Sequence, residues 1–156
     1  MLVGIISDTH RNKENMDKAT EKIKKCDLVF HLGDNYEDID YIKGIYKGKI
    51  IGVCGNCDTM KKLSKEAIYT IKGHTIFLTH GDCYRVKLNT FNLKYRAMEI
   101  GADIVLYGHS HISSIEKDGG ILFINPGSVG EPRDRNPSIA IMDINENSIE
   151  CEIISI

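Results

Sequence analysis

The stretch Leu2-Val3-Gly4-Ile5-Ile6-Ser7-Asp8-Thr9-His10 decides the fold. Its apolar run is short, rich in β-branched residues, and stops at an acid and an imidazole. It reads as a strand with chemistry at its carboxyl end. Four further runs repeat the design. Residues 28–30 lead into His31-Leu32-Gly33-Asp34, and 50–53 into Cys54-Gly55-Asn56-Cys57-Asp58. Residues 75–79 lead into His80-Gly81-Asp82, and 104–107 into Gly108-His109-Ser110-His111. None of the five alternates cleanly between apolar and polar residues, which predicts strands buried on both faces by helices or a second sheet.

Helical spacing fills the gaps. Met16, Ala19, Ile23 and Cys26 fall at steps of three, four and three, one helical stripe. Leu88, Phe91, Tyr95 and Met98 repeat those steps and predict a second helix over 88–100, closed by Gly101. A short helix is expected near 37–46. Later the chain turns to hairpins: 112–116 with 121–124 across Lys117-Asp118-Gly119-Gly120, and 138–144 with 148–154 across Asn145-Glu146-Asn147. A third pairs 67–71 with 75–79 across Lys72-Gly73-His74. Strands alternating with helices and then hairpins predict an α/β protein with two sheets.

All five predicted strands end in Asp, Asn or His, with glycine close by. In α/β folds the carboxyl ends of strands are where loops meet ligands. So many carboxylate and imidazole donors at one edge would be costly to bury without a cation. The set lacks a thiolate and suits Mn, Fe, Zn, Ni or Co. Asp8 and His10 stand two apart, as do His109 and His111. In an extended segment such residues point the same way, so each pair serves one pocket or straddles two neighbours. Gly33, Gly55, Gly81 and Gly108 allow sharp turns and close approach. A lone D-x-H carries little information, whereas five such segments in order carry much. His31 and His74 stand outside the set.

Length and composition bound the rest. One hundred and fifty-six residues fit a single domain spanning 1–156. With 42% hydrophobic and 27% charged residues the composition is that of a globular protein. A net charge of −2 gives no basic footprint for long nucleic acid or an anionic membrane. No apolar run approaches the ~20 residues of a membrane helix. The opening MLVGIISDTH has no basic leader, so no secretory signal is expected. Five cysteines, an odd number outside any small secreted framework, point to a reducing, cytoplasmic setting.

Together these segments resemble the calcineurin-like metallophosphoesterases, whose ordered pattern is D-x-H, G-D, G-N-x-D/E, H and G-H-x-H. Here they read D-T-H at 8–10, G-D at 33–34, G-N-C-D at 55–58, H-G-D at 80–82 and G-H-S-H at 108–111. The likeness covers at least residues 1–135. The small size, the N-P-G-S at 125–128 and the Pro-Arg at 132–133 are similar to the YfcE-type phosphodiesterase branch. The resemblance implies a four-layer αββα sandwich of two mixed sheets flanked by helices. It also implies two divalent transition-metal ions, manganese foremost, with nickel, iron, zinc or cobalt as alternatives. Asp8, His10, Asp34 and His111 would hold one ion. Asp34 would bridge to a second completed by Asn56, His80 and His109. Asp34, Asn56 and His80 would be the catalytic core, and Asn56, Cys57 and Arg133 would meet substrate. Two such cations clamp a phosphate diester and acidify a bridging water, which attacks phosphorus as hydroxide.

Departures from the pattern matter too. Cys57 replaces a histidine that assists the leaving group, and a thiol is a poor stand-in for an imidazolium. After Asp34 the fuller G-D-x-x-D is broken, and Glu37 or Asp38 is the acid nearest in role. Cys54-x-x-Cys57 has neither the following helix of a redox pair nor a second pair for zinc. Cys54 therefore reads as strand core and Cys57 as site lining. Cys83 is expected near the mouth, with Cys26 and Cys151 as buried filler. Lys61, Lys62 and Lys65 read as a solvated face, and Arg133 and Arg135 as loop arginines within reach of a phosphate. The resulting expectation is an enzyme acting on a small phosphate diester, with a homo-oligomer open. The alternative is a non-catalytic protein-binding scaffold like the retromer subunit of the same fold. All seven metal positions are filled by Asp, Asn or His, so only Cys57 favours the scaffold.

Overall fold

The computed structural model describes residues 1–58, 63–134 and 136–156. Sheet A runs β10 (Ile149–Ser155), β9 (Ser138–Ile144), β1 (Leu2–Ile6), β2 (Leu28–His31), β3 (Lys49–Gly52). Sheet B runs β4 (Glu66–Ile71), β5 (His74–Thr79), β6 (Ile104–Leu106), β8 (Ile121–Pro126), β7 (Ser113–Asp118). Each sheet is mixed. β1, β2 and β3 are parallel, as are β5, β6 and β8, while hairpin partners run antiparallel.

The sheets face one another across Val3, Ile5, Phe30, Ile76, Leu78, Leu106 and Met142, all fully buried. α1 (Lys13–Ile23) and α2 (Asp38–Ile45) cover the outer face of sheet A through Met16, Ala19, Ile23 and Ile42. α3 (Phe91–Ile100) covers the outer face of sheet B, where Leu93 and Ala97 pack with Phe77, Val105 and Phe123. The result is the four-layer αββα sandwich. The three hairpins form where turn residues predict them; Gly119 and Gly120, both at positive φ, close one of them.

α1 buries the predicted stripe, and the Asn12 side chain caps it by accepting from Asn15 N–H at 3.1 Å. Two expectations need correction. β3 is an edge strand, half-buried rather than covered on both faces. The stripe of α3 is also reversed: Leu88, Phe91, Tyr95 and Met98 are 77%, 66%, 70% and 60% exposed. Leu93, Ala97 and Ile100 form a second stripe, and a periodicity cannot say which of two opposite stripes turns inward. The small Ala97 lets the helix lie close to the sheet. The stop at Gly101 holds, with φ at 69° and its N–H donating to Met98 O.

Candidate metal centre

The parallel strands deliver their following loops to one end of the sandwich, where backbone hydrogen bonds stitch them together. Asp8 N–H donates to Gly33 O at 3.1 Å, Gly108 N–H to His80 O at 3.0 Å, and Gly130 N–H to Asp8 O at 2.9 Å. The approach is close enough that a Cβ on Gly55 would overlap Asp34 Oδ1, and one on Gly108 would overlap Ser7 Oγ.

Asp8, His10, Asp34, His109 and His111 all adopt left-handed backbone, with φ between 44° and 64°. Non-glycine residues rarely do so, and each instance costs on the order of 1 kcal/mol. The surrounding fold therefore imposes these conformations. They also correct the premise that the D-T-H and H-S-H segments are extended. Even so, Asp8 and His10 face one point together, whereas His109 and His111 diverge.

Asp8, His10, Asp34 and His111 each offer one ligand atom, and these atoms lie within 4.8 Å of one another. Beside them, His80 Nε2 lies 3.2 Å from Asn56 Oδ1, 3.2 Å from His109 Nδ1 and 3.4 Å from Asp34 Oδ1. Asp34 touches both groups. All seven predicted metal-site residues thus meet, in two adjoining sets.

The protons show what this arrangement needs. His111 Nδ1 lies 2.6 Å from Glu131 O, and a carbonyl can only accept, so Nδ1 carries the hydrogen. Nε2 of the neutral ring is then bare, yet it stands 3.0 Å from Asp8 Oδ1. That carboxylate oxygen is buried with no hydrogen-bond donor. His80 repeats the pattern: Nδ1–H donates to Leu32 O at 2.8 Å, leaving Nε2 bare among Asn56 Oδ1 and Asp34 Oδ1. Lone pairs facing lone pairs repel unless a proton or a cation lies between them. A second partner that fixes the tautomer of a histidine is also the usual support of a metal ligand. The residues present therefore fit divalent cations.

The electrostatics agree. Burial acts to raise the Asp8 carboxyl, but His111, His80 and Ser7 outweigh it and hold it low. Burial acts likewise on Asp34, where His80 and the Cys57 N–H drive the carboxyl far below the usual range. Burial would lower His80 and His111, but their carboxylate partners raise both. His109 is pushed down to about 4 by burial, then by the charges of His80 and Lys87.

The other predicted residues fall around the rim. Cys57 is exposed, and its N–H donates to Asp34 Oδ1 at 2.9 Å. Burial, then Asp34, pushes its thiol up to about 11. Arg133 is exposed; its N–H donates to His111 O, and its side chain lines a groove with Lys87, Phe91 and Ser110. Cys54 is buried, Cys83 exposed, Cys26 buried and Cys151 half-buried. Lys65 is held by Asp82 at 2.6 Å rather than free in solvent. Lys61, Lys62 and Arg135 lie outside the described residues. Asp38 does not face the donor sets: it accepts from Arg11 N–H at 2.9 Å. Glu37 stands 3.8 Å from the Arg11 guanidinium.

Three supports were not predicted. Ser128 Oγ donates to Asp8 O at 2.8 Å, and Asn125 Nδ2 donates to Gly108 O at 3.1 Å. Both belong to the N-P-G-S stretch, which was a signal. His31 is fully buried directly behind the loops; its Nδ1 accepts from Gly33 N–H and its Nε2 meets Thr9 Oγ1, each at 3.2 Å. His74 is remote and bonds Asn145 O.

A probable metallophosphoesterase, YsnB of Bacillus subtilis, is 35% identical over 95% of this chain and 87% of its own. Phosphodiesterase MJ0936 of Methanocaldococcus jannaschii is 30% identical over 92% of this chain and 93% of its own. The crystal structure of a Vps29 mutant from Entamoeba histolytica shares the fold at 23% identity, with a TM-score of 0.81 over 100% of this chain and 99% of that one. Residues 1–147 match the calcineurin-like phosphoesterase superfamily domain, and the chain belongs to that superfamily.

Proposed function

We propose that the chain is a cytoplasmic, single-domain phosphodiesterase that hydrolyses a small phosphate diester with two divalent transition-metal ions. The observation that carries this reading is the pair of bare imidazole nitrogens, His111 Nε2 and His80 Nε2, each aimed at a carboxylate oxygen. Asp8, His10, Asp34 and His111 would hold one ion, and Asp34, Asn56, His80 and His109 the other. Manganese suits this set of carboxylate, amide and imidazole, with nickel, iron, zinc and cobalt as alternatives. When bound, two such ions supply Lewis acidity toward phosphoryl oxygens and lower the pKa of water between them.

The chain's own residues do the rest. Glu131 O and Leu32 O fix the tautomers of His111 and His80, so both rings present a lone pair to the site. Asp34 joins the two donor sets and offsets positive charge in both. Asn56 and Cys57 lie at the mouth beside them and, with Arg133 on the rim, would meet the substrate. The phosphodiesterase named among the relatives supports a diester. The net charge of −2 favours a small substrate over long nucleic acid. Among the described residues no helix is long and apolar enough to cross a membrane. Five free cysteines suit a reducing compartment. A scaffold would not need the donor sets kept whole.

The test is turnover of bis(p-nitrophenyl) phosphate and of its monoester after chelation, with Mn²⁺, Ni²⁺, Co²⁺, Zn²⁺ and Mg²⁺ returned one at a time. Diester turnover that vanishes with chelator and returns with Mn²⁺ or Ni²⁺ is expected. Full turnover in excess chelator, with no metal by elemental analysis, would sink the reading.

A further inference from the structure

Leu88, Phe91, Tyr95 and Met98 stand at steps of three, four and three on the solvent side of α3 and the turn before it, each at least 60% exposed. Large apolar side chains scattered singly on a surface need no explanation, but a continuous row does. Steps of three and four that sum to seven are the spacing of a helix-pairing seam. The row does not end with the helix. Ile112, 50% exposed, shares a groove wall with Phe91.

We infer that this seam joins two copies of the chain, α3 against α3, in a two-fold dimer. Three observations favour a second copy as the occupant. The first is self-complementarity, which a two-fold interface requires. With the helices antiparallel about a point between Phe91 and Tyr95, Phe91 faces Tyr95 of the other copy, and Met98 lies toward the turn that carries its Leu88. Each copy thus gives and receives one aromatic pair. The second is charge. Beside the seam, Lys94 is bound to Asp118 at 2.6 Å, and Arg96 to Glu66 at 3.2 Å and Glu99 at 3.1 Å. Each copy therefore neutralises the Lys94 and Arg96 charges itself, which lowers the repulsion between two copies. The third is area. An aromatic side chain presents roughly 150–250 Å², and an aliphatic one somewhat less. At these exposures the five residues offer about 500–700 Å² per copy. That approaches the ~800 Å² per partner of a stable interface and lies at or above the upper end of the ~300–600 Å² that the largest patch of a typical monomer reaches.

The inference does not rest on the phosphodiesterase reading. The test is sedimentation velocity of the full chain with Mn²⁺ from 1 to 100 µM. Wild type is expected at twice the 17.5 kDa chain mass. Tyr95→Lys with Met98→Lys is expected at one chain mass, with unchanged far-UV circular dichroism and metal content. Ile68, 53% exposed on the edge strand β4, supplies the control, and Ile68→Lys should remain a dimer. A monomeric wild type at 100 µM overturns the inference. So does a double variant that stays dimeric, or an Ile68→Lys that alone dissociates.

Discussion

His111 Nε2 stands 3.0 Å from Asp8 Oδ1, and in the neutral ring no proton joins them, because Glu131 O holds the single ring hydrogen on Nδ1. Two acceptors at this separation are held together by the rest of the fold. Ser128 grips the Asp8 carbonyl at 2.8 Å, and Ser7 Oγ donates to Asp8 Oδ2 at 2.5 Å. Without a cation, protonation of the imidazole relieves the conflict, which is why burial fails to keep His111 and His80 low.

Metal binding should therefore release protons. His111 and His80 have raised pKa values in the metal-free site and must be neutral to ligate. Proton release on adding Mn²⁺ to chelated protein should be larger at pH 6.5 than at pH 8. Calorimetry in two buffers of different ionisation enthalpy measures it. No proton release at pH 6.5 would mean these imidazoles do not meet the metal.

Asp34→Asn should be the most damaging single change at the metal centre. Asp34 Oδ2 lies 3.9 Å from His10 Nε2 while Oδ1 lies 3.4 Å from His80 Nε2, so this carboxylate reaches into both sets, closer to His80 than Asp8 Oδ1 at 4.0 Å. Asparagine tolerates the φ of 59° there, so the backbone is spared and only charge is lost. Bound metal should fall by about one ion per chain and kcat by ~10²-fold or more, on the scale of an electrostatic group lost at the reacting centre. Metal content and kcat both near wild type would remove Asp34 from the bridge.

The strand-end residues were legible in the sequence because donor type, order and neighbouring glycine all travel in the local chain. Asp8, His10, Asp34, Asn56, His80, His109 and His111 meet as their motifs predict. What the sequence hid was backbone geometry and long-range support. The left-handed φ of Asp8 and His111 is set by contacts with Gly33, Gly130 and Glu131, far along the chain. His31 stands outside the donor motifs in sequence, though it packs beneath two of the loops. The stripe on α3 was visible but not its direction. Direction depends on which opposite row meets Phe77 and Val105.

His31 should make the fold acid-sensitive. Burial depresses its pKa to about 4 from an ordinary 6.5, so the folded state holds it neutral. Its Nδ1 accepts from Gly33, which a protonated ring cannot do. Between these two values the unfolded chain binds the proton and the folded one does not, so stability falls as pH falls through that window. From pH 7 to pH 5 the loss from this group is about 2 kcal/mol. Urea unfolding of wild type and His31→Gln at both pH values isolates it, since metal loss affects both proteins. Wild type should lose more stability than the variant by about that amount. Equal losses would mean that His31 titrates normally.

Cys57 decides which substrates react well. Its thiol is pushed up to about 11 and stays neutral near pH 7, and a neutral thiol is a weak donor. The position serves the site chiefly through its backbone, since Cys57 N–H donates to Asp34 Oδ1 at 2.9 Å, with the neutral thiol as a second, weaker donor to Asp34. Cys57→Ala keeps the backbone bond and should change kcat/KM by less than about threefold. General acid help is typically worth ~10²–10⁴-fold where it operates, and poor leaving groups need it most. Wild type should therefore favour nitrophenyl esters and show a steep dependence of rate on leaving-group pKa. Cys57→His restores an imidazole at the mouth and should flatten that dependence, raising alkyl diesters more than aryl ones. The measurement is kcat/KM over a series of aryl and alkyl phosphodiesters for all three proteins, with metal content checked in each. A large loss in Cys57→Ala with metal intact would give sulfur a direct part in the reaction. An unchanged slope in Cys57→His would mean that this position does not face the leaving group.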